Sequence, residues 1–349
     1  FLVDVLFTGP CVEFLKRQAD SLNLPMSVHH PSLPEKPVVV IKWKGTEPDL
    51  PSILFNSHMD VVPVYADNWI HPPFGAEIDN DGKIFARGTQ DTKGQGMSYL
   101  GAIRQLKNQG FQPKRTLYLT YVPDEEIGGV NGMKAFVATD AFKNLNVGFA
   151  IDEGGTFTIP QYLLFNNERT RWAPIFTAKG EPGHASQLPA ETAGTRFTKI
   201  ISKLMDQRAK ELAKLQSLGI TGQGKVTSIN LTKVSGGSQS NVMPNNLSVT
   251  FDIRIAPDQD LDAFQAQLDS WIDESGGDID LTFEQKDIKS PETVLDGNPQ
   301  YNALQGAFTQ LNFQVITLIF PAVSDARYLR LAGVPTVNFV PMHNTTSLA

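Results

Sequence analysis

The chain has 349 residues, with 30 Lys+Arg against 37 Asp+Glu, a formal net charge of −7, and 41% hydrophobic against 19% charged residues; this is a globular balance, not that of a disordered chain. No cluster of Lys and Arg offsets the mild acidity, which argues against a nucleic-acid or anionic-membrane partner. Apolar runs such as Val38–Ile41 fall far short of the roughly 20 residues that a membrane span needs. One cysteine, Cys11, excludes an intramolecular disulfide and a thiolate metal cluster, so any metal must be held by His and carboxylates.

In chain order, Phe1–Phe7 is apolar with a single charge and no basic stretch before it, and it reads as a truncated start rather than a signal segment. Val38–Trp43 and Ile53–Phe55 are β-rich runs bounded by Pro and Gly, and read as strands. Gly94–Gln109 is predicted helical, with Met97, Leu100, Ile103 and Leu106 on one face and Gly110 as a C-terminal stop. Thr116–Val122 and Val147–Asp152 are further strands, stopped by Pro123 and by Gly154–Gly155. Such alternation of strand and helix implies a mostly parallel sheet with helices on its faces.

From about Trp172 the pattern changes. Thr195–Gln216 is a long helix, Lys225–Val234 a strand, and Ser235–Ser240 a Gly/Ser loop. Leu247–Ile255 alternates as an antiparallel strand with one wet face does. Leu261–Ser275 is an amphipathic helix, followed by a helix at Tyr301–Leu311 and a strand at Val334–Val340. A chain of this length usually exceeds one core, so two domains are expected. They are a mixed, mostly parallel α/β domain from residues 1–168 and 290–349, and an inserted α+β unit from 169–289.

The ionisable residues gather where strands end. Ile53–Ser57 runs into His58-Met59-Asp60, Thr116–Val122 into Asp124-Glu125-Glu126, and Val147–Ile151 into Asp152-Glu153; the loop Arg87–Gly94 carries Asp91 and opens a helix. In open α/β sheets the carboxyl ends of strands line the ligand crevice, so these groups would converge there. Crowded carboxylates repel unless a positive charge sits among them, and one or two divalent cations, Zn²⁺ readily, would suit such N/O donors. Each piece alone has a plainer reading: a structural His–Asp pair, a solvated Glu-Glu dipeptide, an acidic turn cap. The four together at one sheet edge favour a metal site.

These segments resemble the signature blocks of the M20 metallopeptidase clan, and within it the aminoacylase branch of N-acyl-L-amino-acid amidohydrolases. The matching blocks are His58–Pro63, Gly88–Gly94, Asp124–Gly129, Asp152–Gly154, Pro182–Ser186, Val226–Leu231, Asn241–Pro244 and Phe251–Arg254. The resemblance implies a zinc-exopeptidase-like catalytic domain with an inserted lid/dimerisation domain, two Zn²⁺ per subunit and a cytoplasmic homodimer. His58 and Glu153 would serve one zinc, Glu126 the other, and Asp91 both, with a cis peptide after Asp91. Glu125 matches the general base and Asp60 the carboxylate that orients His58. His184 would reach the partner subunit's site to stabilise the oxyanion; by spacing alone it could equally be a surface-loop histidine. Arg254 and Asn241 would bind the substrate; Arg254 could instead be a sheet-face charge paired with Asp252. Ser324–Arg327 resembles a late family motif in which Asp325 braces backbone.

One expected ligand is missing from the pattern: the family places a further zinc histidine in an acidic block that would begin about where the chain stops at Ala349, and His343 falls several residues early to replace it. The expectation is therefore a di-zinc amidohydrolase lacking a complete second metal site. The rivals are a dipeptidase or carboxypeptidase of the same clan, and a non-catalytic dimerising homologue. Retention of Glu125 and of all four candidate ligands, His58, Asp91, Glu126 and Glu153, favours the enzyme.

Overall fold

The computed structural model describes residues 8–346; the Phe1–Phe7 stretch expected to be a truncated start lies outside them. Two compact units emerge. The first comprises the chain up to Asn166, Pro291–Thr317 and the chain from Ser324; the second comprises Asn167–Ser290 and Leu318–Val323.

The first unit is built on a mixed sheet. Its strands lie in the order Met26–His29, Val38–Trp43, Leu117–Val122, Ser52–His58, Val147–Asp152, Thr336–Phe339, Tyr162–Glu168, Val315–Phe320. Leu117–Val122, Ser52–His58, Val147–Asp152 and Thr336–Phe339 run parallel to one another in the centre. Val38–Trp43 and Tyr162–Glu168 flank them antiparallel. Val38–Trp43 is buried on both faces, as its unbroken apolar sequence requires. Val39, Ile41, Leu119 and Tyr121 pack on one side with Leu15 of helix Thr8–Ser21 and Leu100 and Ile103 of helix Gly94–Asn108. Val38, Val40, Tyr118 and Val122 pack on the other with Met133 and Phe136 of helix Met133–Val137 and Tyr328 and Leu329 of helix Ala326–Leu331. The result is an α/β layering whose central strands share one carboxyl edge.

In the second unit the strands Ser228–Gly236, Asn246–Ile255, Thr170–Lys179 and Ile279–Lys286 form an antiparallel sheet in that order. Trp172, Phe176, Val249, Phe251 and Ile253 pack with Ile200 and Leu204 of helix Ala193–Leu218 and with Phe264, Leu268 and Trp271 of helix Leu261–Glu274. Thr192 and Thr195 close a reciprocal capping box at the start of the longer helix, which satisfies two amide groups left without helical partners.

Differences from the sequence expectation are local. The strand expected at Lys225–Val234 begins at Ser228, because Ile220–Lys225 forms a 3₁₀ turn. It continues through Ser235 and Gly236, paired with Ser248 and Leu247, and so shortens the expected loop. The helix expected from Tyr301 begins at Pro299, because the Asn298 side chain caps it and Pro299 is pre-set for a first helical position. Asp91–Thr92 is a cis peptide.

A candidate metal centre at the carboxyl edge of the sheet

Three of the four central parallel strands deliver an acidic or imidazole group at the same edge. His58 is the last residue of its strand, opposite Val122 of the neighbour, and Met59 N–H donates to Val122 C=O at 2.7 Å. Past Val122, Asp124 adopts a left-handed conformation (φ 76°) and opens the 3₁₀ turn Glu125–Ile127. Past Asp152 comes Glu153, where Gly154 passes Phe339–Val340 so closely that a Cβ would lie 2.5 Å from the Val340 nitrogen.

The imidazole is the hub. His58 Nε2 lies 3.0 Å from Asp91 Oδ1 and 3.4 Å from Glu153 Oε2. His58 Nδ1 lies 3.0 Å from the Asp60 backbone oxygen and 3.5 Å from the Asp60 carboxylate. A carbonyl oxygen only accepts, so this contact assigns the proton to Nδ1 and turns the Nε2 lone pair toward Asp91 and Glu153 in the neutral ring. One donor atom each from His58, Asp91 and Glu153 falls within 4.8 Å of the other two. An imidazole nitrogen with carboxylate oxygens is a donor set that suits Zn²⁺ and other borderline divalent cations, so the residues present fit such an ion. Glu126 is not part of this trio.

Electrostatics express the same crowding. Burial works against a charged His58, but Glu153, Asp60 and Asp91 outweigh it and hold the ring's pKa well above its usual value. Burial pushes the Glu153 carboxyl up to about 8, with Asp91 and Asp152 adding to the push. Glu126 is pushed up to about 7, by burial and then by Asp91. Burial, then the charge of Glu153, holds Glu125 well above the ordinary carboxylate range. Asp60 and Asp91 are held below that range: burial opposes this, and the hydrogen bonds and charge of His58 prevail. A cation taking these donors must displace protons, which couples its binding to pH.

The Asp60 carboxylate does more than face His58. Its oxygens accept the backbone N–H groups of Glu125 at 3.2 Å and Glu126 at 3.1 Å, so it also fixes the turn that carries both acids. Two supports were not visible in the sequence. Lys36 Nζ donates to Asp124 Oδ1 at 2.8 Å, and Asn131 donates to Asp124 Oδ2 through its backbone and side chain. The Gln95 amide donates to the carbonyls of Asp152 and Phe339 and accepts from Gly154 N–H, tying together the two strand ends beside Glu153. A Gln in the first turn of a helix that opens from a Gly-flanked acidic loop was the available signal for Gln95. Lys36 had none.

The remaining candidates lie elsewhere. His343 packs its ring 4.5 Å from that of Tyr162. In the second unit, His184 and Asn241 stand side by side: Gly183–His184 pairs with Val242–Met243, and Ala185 N–H donates to Asn241 C=O. His184 is exposed, and Ser186 N–H donates to its Nδ1 at 3.2 Å, which assigns the ring proton to Nε2. Arg254 Nε donates to Asp252 Oδ1 at 2.7 Å, the sheet-face pairing that the sequence left open, and Arg171 Nε donates to Asp252 Oδ2 at 2.8 Å. Burial, and then the charge of Arg254, lowers Arg169 to about 10.

Comparison with known proteins agrees with the residues. Residues 54–347 match the model of peptidase family M20/M25/M40. Aminoacylase-1 from Mus musculus is 42% identical over 341 residues, which is 97% of this chain and 83% of the relative. Among solved structures, an M20 family metallo-carboxypeptidase from Sulfolobus solfataricus superposes with a TM-score of 0.71 at 18% identity, over 95% of this chain and 85% of that one. A dinuclear metal-binding M20 peptidase from Bacillus subtilis gives a TM-score of 0.61 at 18% identity, over 95% and 83%. No helix among the described residues is long and apolar enough to cross a membrane. The chain belongs to peptidase family M20/M25/M40 and is a metal-dependent amidohydrolase.

Proposed function

We propose that the enzyme hydrolyses N-acyl-L-amino acids to a free L-amino acid and a carboxylate such as acetate. The observation that carries this reading is the buried Glu125, one residue from Glu126 and beside the His58–Asp91–Glu153 cluster, in a chain so similar to aminoacylase-1. His58 and Glu153 would hold one Zn²⁺, Glu126 a second, and Asp91 both. When bound, the two ions would polarise the amide carbonyl and lower the pKa of water.

The rest is the work of the chain's own side chains. Glu125 takes a proton from water as the oxygen attacks the amide carbon, and delivers it to the departing amine. Burial and the neighbouring Glu153 raise its proton affinity, which suits a group that must hold the proton between those transfers. Asp60 keeps Glu125 in place through its backbone N–H. His184, with its proton on Nε2, is the donor we assign to the oxyanion, reaching the site of the partner subunit in a homodimer. Arg254 is assigned to the substrate carboxylate and Asn241 to the substrate beside it; support for Arg254 comes from two guanidinium groups, Arg171 and Arg254, sharing the single Asp252 carboxylate. In this reading the second unit is a lid and dimerisation domain. A cytoplasmic setting suits a chain whose one thiol, Cys11, is free.

The test is amine release from N-acetyl-L-methionine and from a dipeptide by the zinc-loaded enzyme, with metal analysis and sedimentation. We expect hydrolysis of the acylated amino acid, about two zincs per subunit, and a dimer. Faster turnover of the dipeptide would transfer the assignment to peptidase activity.

A further inference from the structure

Helix Ala326–Leu331 is unusual in burying every residue from Ala326 to Arg330, including two arginines. A guanidinium leaves water only where its donors find acceptors. Arg327 is 3% exposed; its Nη2 donates to the backbone oxygen of Gly128 at 2.9 Å and its Nη1 to that of Ser324 at 2.8 Å. Tyr328 Oη donates to the same Gly128 oxygen at 2.5 Å, and the Arg327 guanidinium lies over the Tyr328 ring, 4.5 Å from its centroid.

Gly128 closes the turn Glu125–Ile127, with φ at 108°. Gly129 follows at φ 65°, and a Cβ there would lie 2.4 Å from Asp325 Oδ1 and 2.9 Å from the Tyr328 ring. The turn is thus gripped at both ends. Asp60 accepts the amide groups of Glu125 and Glu126 at its start, and two buried donors take its last carbonyl 199 and 200 residues away in sequence.

We infer that Arg327 and Tyr328 are positioning residues: acting through the Gly128 carbonyl, they set where the Glu125 and Glu126 carboxylates lie. Both side chains are buried, at 3% and 6% exposure, against the turn. The inference rests on the assignment of Glu125 as base and Glu126 as ligand, and its test separates the two.

Full-length Tyr328→Phe keeps the ring and loses one hydrogen bond; kcat for N-acetyl-L-methionine should fall about three- to tenfold with KM within twofold. Arg327→Met should lower kcat about 100-fold, the scale of an ångström-sized misplacement. Arg327→Lys, which keeps one donor, should recover part of that loss. Zinc titration of the same proteins should show affinity at one of the two sites weakened about 10-fold or more in Arg327→Met. If Arg327→Met does not fold, Tyr328→Phe decides by the same kcat and zinc measurements. Folded variants with kcat and both zinc affinities within twofold of wild type would overturn the inference. If the wild type hydrolyses no N-acyl amino acid, the substrate assignment falls, and the zinc affinities alone decide the positioning role.

Discussion

The first unit buries His58, Glu125 and Glu153 to 2%, 9% and 8% exposure, whereas the second leaves His184 and Asn241 exposed on a short two-stranded ribbon. The difference follows from the sheets. Parallel strands covered by helices on both faces deliver their last residues into a protein-lined edge, where burial raises Glu125, Glu126 and Glu153 and, against burial, the hydrogen bonds and charge of His58 lower Asp60 and Asp91. An antiparallel sheet with helices on one face leaves its other face partly open, where Arg254 pairs with Asp252 at 2.7 Å. In the function proposed above, the buried unit holds the groups that move protons or accept a cation. The open unit offers donors that act only when something is brought to them.

That division can be broken by substitution, and the largest effect belongs to the buried side. Glu125→Gln should lower kcat about 10²- to 10⁴-fold, as loss of a general base does, while zinc content by elemental analysis stays unchanged. Normal turnover would remove Glu125 from the proton path. On the open side, His184→Ala should cost about 10²- to 10³-fold in kcat, the scale of one oxyanion donor. Mixing His184→Ala with Glu125→Ala subunits should restore about a quarter of the wild-type rate if a symmetric dimer shares its sites. A mixture as inactive as its parents would confine His184 to its own subunit or to no role. Arg254→Leu should act mainly on KM, raising it about 10- to 100-fold, the worth of a charge-assisted hydrogen bond.

The smallest effect distinguishes the units without turnover. Glu126 and Glu153 keep their protons in the folded, metal-free chain up to about 7 and 8, while in the unfolded chain they ionise near 4.5. The unfolded state therefore binds fewer protons between those values, so stability falls as pH rises; the raised His58 acts in the same sense. Thermal melts of metal-free protein should show a lower Tm at pH 8.5 than at pH 6, by about 1–2 °C for each kcal/mol lost. Zinc should reverse the trend by binding the deprotonated donors. A metal-free Tm that rises over this interval would contradict the buried electrostatics. A fall that persists in His58→Ala/Glu153→Gln would place its origin outside the cluster.

Much of this was legible along the chain. The central strands announced themselves by short β-rich runs, and His58, Glu125, Glu126 and Glu153 by falling at or just past their ends, because a parallel sheet converts strand ends into neighbours in space. Asp91 was legible as the acid of a Gly-flanked loop, and Arg254–Asp252 as a local alternation. What the sequence determined by itself were those features set by short-range periodicity and by residue type at an element's end.

The tertiary structure decided the rest. It divided the Asp60 carboxylate between His58 and the Glu125–Glu126 turn, brought Lys36 to Asp124 across 88 residues, and seated Arg327 and Tyr328 on the Gly128 carbonyl. None of these pairings has a local pattern: a buried arginine in helix Ala326–Leu331 reads in sequence as an ordinary solvated one. Most of their partners are backbone groups, which every residue carries alike, and Lys36 meets an acid far away in sequence, so only folding selects which group a side chain meets.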